Sequence, residues 1–201
     1  MSSYSKIINI RSLNDILLYL QRLGNTKNVC VWLDWDENII NSSTNEIIEP
    51  EVTRKLFDYM ISNEIFFSII TGRFHDTVCN DNTRVLKDME YNIVYTIFPV
   101  LKKLGVYADK FVTPESKKHI YKIGTSRGKC VGVLYMGIIF SGNKGQTIKN
   151  YLRQTKIKST HNIFVDDYEP YLTEATKSFP EMTVFRRYVP YLDDPIEYES
   201  N

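Results

Sequence analysis

No stretch of this sequence approaches the ~20 consecutive apolar residues that a bilayer-spanning helix requires, which argues against a membrane-embedded protein. Net charge is nearly absent too: 25 basic against 24 acidic residues leave +1. No global field therefore steers the chain toward nucleic acid or an anionic membrane. Cysteine is scarce. Cys30, Cys79 and Cys130 are odd in number and widely spaced, a pattern that matches neither a disulfide framework nor a zinc site. Cys30 and Cys130 sit in apolar runs, where buried reduced thiols are expected. The three histidines, His75, His119 and His161, form no ligand spacing. Met1 to Gly24 lacks a basic segment followed by a continuous apolar core, and Asp15 interrupts its most apolar part. That part reads as an amphipathic surface helix rather than a signal peptide. Together these absences lead to the expectation of a cytoplasmic protein.

What is present begins with Val29-Cys30-Val31-Trp32-Leu33, an apolar run that ends in Asp34-Trp35-Asp36. Side chains alternate along a strand, so two carboxylates spaced by two leave a strand end in a similar direction. Two like charges that close repel unless a cation neutralises them or one takes a proton. One can then act as a nucleophile and the other as a proton carrier, with a hard, oxygen-seeking ion such as Mg²⁺ between them. The bland alternative is a turn or helix cap. Three further runs bear on the choice. Ile65 to Ile70 reads as a buried strand and ends in Thr71-Gly72-Arg73. Lys144, in Ser141-Gly142-Asn143-Lys144-Gly145, stands just before a stretch with helical apolar spacing. Asn162 to Val165 is a short strand that ends in Asp166-Asp167.

Strand-DxD, strand-Thr, a lysine at a helix start and strand-DD, in that order, resemble the haloacid dehalogenase (HAD)-like phosphohydrolase superfamily. The resemblance runs from about Val29 to about Tyr191, with features of a poorly characterised branch that carries a small cap. It implies a three-layer α/β/α, Rossmann-like fold with a mostly parallel sheet, and Mg²⁺-dependent phosphomonoesterase activity through an aspartyl-phosphate. Asp34 would be the nucleophile and Asp36 the general acid and base. Thr71, Gly72, Arg73 and Lys144 would hold the phosphoryl group of a phosphorylated substrate. Asp34, Asp36, Asp166 and Asp167 would surround Mg²⁺. A HAD-type phosphotransferase, or a non-catalytic HAD-like module that binds metal or protein, would fit the same motifs. A receiver domain does not, because its acidic pair comes early in the chain and Asp166-Asp167 comes late. One position departs from the family: the fourth residue after Asp34, usually Thr or Val, is Asn38, where tuning rather than loss of activity is expected. Lys144 is unusual in itself, since the helix macrodipole disfavours a cation at an N-terminus.

The length, 201 residues, suits one domain, 1–201, with small decorations. A helix is expected over Ser12 to Arg22, ending near Gly24. Glu37 to Ile48 is turn-rich and reads as a flap, and Pro50 opens a helix that runs to about Asn63. After Arg73 a helical stretch is expected through Thr77 to Glu90, then an apolar segment, Ile93 to Leu104, bent at Pro99. Lys110 to Thr113 looks like a strand and Glu115 to Gly128 like a charged turn. Lys129–Tyr135 and Gly137–Phe140 look like a hairpin, so that residues 115–140 form an insertion or small cap over the site. Tyr171–Ser178 and Thr183–Phe185 close the chain as helix and strand. Alternating β and α elements with apolar, β-branched strands argue a parallel sheet covered on both faces.

Overall fold

The structure is a computed structural model that describes residues 7–74, 79, 83–107, 120–125 and 127–189. Its elements are β1 (Ile7–Ile10), α1 (Leu13–Arg22), β2 (Val29–Leu33), α2 (Pro50–Ser62), β3 (Phe66–Thr71) and α3 (Thr83–Asn92). A π-helical turn (Ile93–Ile97) then leads into α4 (Phe98–Lys103), followed by β4 (Tyr121–Gly124), β5 (Cys130–Tyr135) and β6 (Ile138–Phe140). The chain continues through α5 (Lys144–Thr155), β7 (His161–Asp166), α6 (Glu169–Ser178) and β8 (Thr183–Arg187). The strands form one sheet in the order β1-β8-β7-β2-β3-β6-β5-β4. The six strands from β1 to β6 in that order run parallel, and β5 and β4 extend the edge antiparallel.

The alternation of side chains explains the layers. Val29, Val31 and Leu33 of β2 face one hydrophobic cluster, shared with α1, α2, α3 and α4. Cys30 and Trp32 face the other, shared with α5 and α6. Ile163 and Val165 alternate with Phe164 in the same way on β7. A strand apolar on both faces is what a sheet covered on both sides needs. The fold is therefore α/β with a mostly parallel sheet, as expected.

Several local expectations are matched. Ser12 caps α1 in a capping box with Asp15, and Gly24 follows the helix at φ +68°. Pro99, which lacks the N–H that would continue an α-helix, directly follows the π turn, in which Phe98 N–H donates to Ile93 O, and the backbone at Ile97 and Phe98 stays right-handed helical. Other expectations are corrected. β1 and β4 were not anticipated: β1 pairs β8, and β4, within the segment read as a charged turn, pairs β5. The expected hairpin exists but is no lid. Ile69, Ile70 and Thr71 pair with Ile138, Ile139 and Phe140, so the hairpin lies in the sheet plane. Its Met136-Gly137 turn sits at the edge opposite to the one where β2, β3 and β7 end. The expected strand at 110–113, residues 77–78 and 80–82 of the helix expected after Arg73, His75, His119 and part of the 115–140 insertion lie outside the described residues.

The cysteines need a second correction. Cys30 is buried and free, but Cys79 and Cys130 form a disulfide, with Cα atoms 5.9 Å apart. Folding brings together two residues separated by 51 positions, a proximity that spacing alone cannot reveal. Reduced thiols at both Cys30 and Cys130 had supported a cytoplasmic location, and that support is lost for Cys130. Among the described residues no helix is long and apolar enough to cross a membrane.

Candidate active site

The register of the sheet assembles the site. Leu33 of β2 pairs with Val165 of β7 on one side and Ile69 of β3 on the other. Asp34, the next residue, donates its N–H to Val165 O at 3.0 Å, so it emerges level with Asp166 on one side and with Ile70, one residue before Thr71, on the other. From β2 the chain proceeds to β3 and β6, then returns to β7 and β8 on the opposite flank. Asp34 thus stands where the strand order reverses, at the carboxyl ends of the strands. Open α/β sheets place ligands there.

Lys144 is the centre of the arrangement. It is completely buried, and its ammonium donates to Asp34 Oδ1 at 2.6 Å and to Asp166 Oδ2 at 2.7 Å. Two carboxylates and the ring of Tyr171, whose centroid lies 4.4 Å from Nζ, enclose the cation. The unfavourable position at the start of α5 is offset from outside the helix. Glu174 on α6 accepts from the N–H groups of Gly145 and Gln146, and Asn143 caps the turn. Gly145 permits this close packing, since a Cβ there would meet Ala175 Cα at 2.4 Å.

One ammonium serves an acidic group of three. Ligand atoms of Asp34, Asp166 and Asp167 lie within 4.8 Å of one another. Burial, chiefly, and then repulsion from the other carboxylates push Asp34 up to about 7 against the pull of Lys144. Burial and the charge of Asp34 likewise push Asp167 up to about 7. Burial also raises Asp166. Burial lowers the affinity of Lys144 for its proton, but Asp166 and Asp34 outweigh it and hold the ammonium charged. The group is short of positive charge.

Asp36 departs from the expected metal set. Its carboxylate is gripped by Arg73, Nε to Oδ2 at 2.9 Å and a terminal nitrogen to Oδ1 at 2.5 Å, and it stands outside the three-carboxylate group. What Asp36 turns inward is its main-chain oxygen, which accepts from Asn38 Nδ2 at 3.1 Å. Thr71 is fully buried; its hydroxyl accepts from Arg73 N–H at 3.2 Å and keeps its own proton to donate. Gly72 leaves room for the Tyr171 ring, because a Cβ there would come within 2.7 Å of the Tyr171 hydroxyl and push that side chain aside.

The flap after Asp36 is tightly tied. A left-handed Glu37 (φ 58°) turns the chain, and Glu37 N–H donates to Ile40 O at 2.8 Å. Trp35, Ile39 and Ile40 are fully buried beneath it. The turn carries Asn38 back against Asp34, and Arg187 donates to Asn38 O and, at 2.8 Å, to Glu49. Asn38 was legible as an unusual residue, though not as a contact of three site oxygens. Tyr171, Glu174 and Arg187 escaped sequence reading. Tyr171 lies one helical turn after Asp167, the only local signal available; Arg187 reaches the flap from β8 and offers none.

The expected residues Asp34, Thr71, Lys144, Asp166 and Asp167 converge, with Arg73 and Asp36 paired at the rim. Compared with known proteins, the chain matches no family model, no curated protein and no solved structure.

Proposed function

We propose that this chain is a Mg²⁺-dependent phosphohydrolase that passes a phosphoryl group to Asp34 and then to water, on a HAD-like scaffold. The observation that carries the reading is the buried Lys144 ammonium held between Asp34 and Asp166 at the strand-order reversal. A lysine fully removed from water is costly unless its charge has work there. The donor set fits Mg²⁺: carboxylate oxygens of Asp34, Asp166 and Asp167 and the Asp36 main-chain oxygen are hard ligands, and the group lacks positive charge. Bound there, Mg²⁺ would supply charge to offset that of the phosphoryl oxygens.

The residues divide the remaining chemistry. Lys144 fixes the Asp34 carboxylate and keeps it from turning away. In the first step an Asp34 oxygen bonds to phosphorus while the bond from phosphorus to the leaving oxygen breaks, and Asp36 delivers a proton to that oxygen. In the second, water attacks phosphorus, Asp36 takes its proton and Asp34 is released. The Thr71 hydroxyl and Lys144 donate to the phosphoryl oxygens as charge builds on them. Arg73 joins them once a phosphate offers it oxygens in place of those of Asp36, and that exchange frees Asp36 for proton transfer.

The test is release of phosphate from a generic aryl phosphate with and without Mg²⁺, in wild type and Asp34→Asn. Mg²⁺-dependent turnover that vanishes in the folded Asp34→Asn protein supports the reading; equal turnover in both sinks it. The bidentate Arg73–Asp36 pair favours one second reading, a non-catalytic module whose proton carrier is locked away. A wild-type protein that binds Mg²⁺ but releases no phosphate from aryl phosphates, nucleotides, sugar phosphates or phosphopeptides would establish that reading instead.

A further inference from the structure

Asn38 is completely buried, yet its two amide atoms are treated very differently. Nδ2 donates to Asp167 Oδ1 at 3.0 Å, to the Asp36 main-chain oxygen at 3.1 Å and to Asp34 Oδ2 at 3.4 Å. Oδ1 has no hydrogen-bond partner among the described residues. A buried carbonyl oxygen without a partner is expensive, and each such case calls for an explanation. The oxygens that Nδ2 collects come from two carboxylates and one main-chain carbonyl, the donor types that a hard divalent cation takes. The amide N–H groups carry only partial positive charge, yet they point where the full charge is wanted.

The main chain of Asn38 is held in place. Arg187 donates to its carbonyl oxygen, and the left-handed turn at Glu37 sets its direction. The side-chain torsion is the freedom that remains. A half-turn about the terminal bond of an asparagine exchanges its oxygen and nitrogen with almost no change of shape. Such a turn would bring the unpartnered acceptor into the oxygen cluster and take the N–H groups out of it.

We propose that Asn38 is a reversible cation ligand. Its amide presents N–H to Asp34, Asp36 and Asp167 in the cation-free protein. When a divalent cation enters, the amide reverses and Oδ1 joins those oxygens as a neutral donor. This rests on the cation-binding half of the function proposed above and is independent of turnover.

The experiment is calorimetric titration of the full chain with Mg²⁺, for wild type, Asn38→Leu and Asn38→Asp, alongside ¹⁵N spectra of the wild-type side-chain amides. Leucine keeps the bulk and offers no donor atom, so Mg²⁺ affinity should fall about 10- to 100-fold. Aspartate keeps an oxygen, so affinity should stay within about threefold of wild type or rise. The Asn38 Nδ2 hydrogens should leave their hydrogen-bonded resonance positions as Mg²⁺ saturates the protein. Unchanged affinity in Asn38→Leu would make Asn38 a bystander, and tighter binding would make its amide only a plug; either result overturns the proposal while leaving the phosphohydrolase reading intact. If Asn38→Leu does not fold, the wild-type spectra and Asn38→Asp decide: an unmoved Asn38 amide, or about tenfold weaker binding to the aspartate variant, also overturns it. A wild-type protein that binds no Mg²⁺ would sink both this inference and the proposed function.

Discussion

Replacing Lys144 by methionine isolates the charge at the centre of the site, because methionine keeps an apolar stem of similar length and removes only the ammonium. The side chain is completely buried and bonds Asp34 at 2.6 Å and Asp166 at 2.7 Å. Removing one partner of a buried ion pair typically costs about 3–5 kcal/mol, since the remaining charges are stranded away from water. For a domain of this size about 1 kcal/mol shifts the melting temperature by about 2–4 °C, so a fall of about 6–20 °C is expected. The loss must depend on pH. Without the ammonium, Asp34 and Asp166 rise further above the ordinary carboxylate range, and each can escape its penalty by taking a proton. A carboxylate whose folded value is raised favours the folded state at low pH, and that advantage disappears as pH rises through the raised value. The deficit of Lys144→Met relative to wild type should therefore be largest near pH 8 and shrink toward pH 5. Thermal unfolding followed by circular dichroism, with chelator present, measures it. A variant as stable as wild type, or a deficit that does not change across that range, would refute the account of Lys144 as the counter-ion of both carboxylates.

Asp34→Asn should keep the fold, because an amide oxygen can still accept from Lys144, while Mg²⁺-dependent phosphate release falls to background in a colorimetric assay. Ca²⁺ should replace Mg²⁺ poorly in the same assay, since it prefers more ligands and looser geometry. Asp34 and Asp167, both raised to about 7, keep protons in the folded state that the unfolded chain releases near pH 4. Wild-type stability without metal should therefore fall as pH rises from about 4 through about 7, and stabilisation by Mg²⁺ in a thermal-shift titration should grow over the same interval. The Cys79–Cys130 bridge closes a separation of 51 residues. Its loss in Cys130→Ser should cost about 4 kcal/mol in a denaturant titration, with little change when reductant is added to that variant.

The site was legible in the sequence to the extent that it sits at strand ends. Asp34, Thr71 and Asp166 each terminate an apolar run, and a strand that emerges from a parallel sheet leaves its next residues at the ligand-binding edge whatever the rest of the chain does. Lys144 was visible as a cation where a helix start disfavours one. Tyr171 and Glu174 were hidden because on α6 they look like any half-buried helical residues; their roles exist only because α6 packs beside the start of α5.

Local patterns by themselves determined the alternation of strands and helices apart from β1 and β4, the cap of α1, the turn-rich flap and the order of the acidic motifs, since each depends on neighbours a few residues away. Tertiary structure alone decided four matters. It placed the β5–β6 hairpin in the sheet rather than over the site, because a hairpin's free edge pairs with whichever strand lies beside it. It joined Cys79 to Cys130 across residues that share no local pattern. It turned the Asp36 carboxylate to Arg73 and away from the other three. And it aimed the Asn38 amide at oxygens of Asp34 and Asp167, the residues that follow β2 and β7, a convergence that arises only when strands far apart in sequence lie side by side.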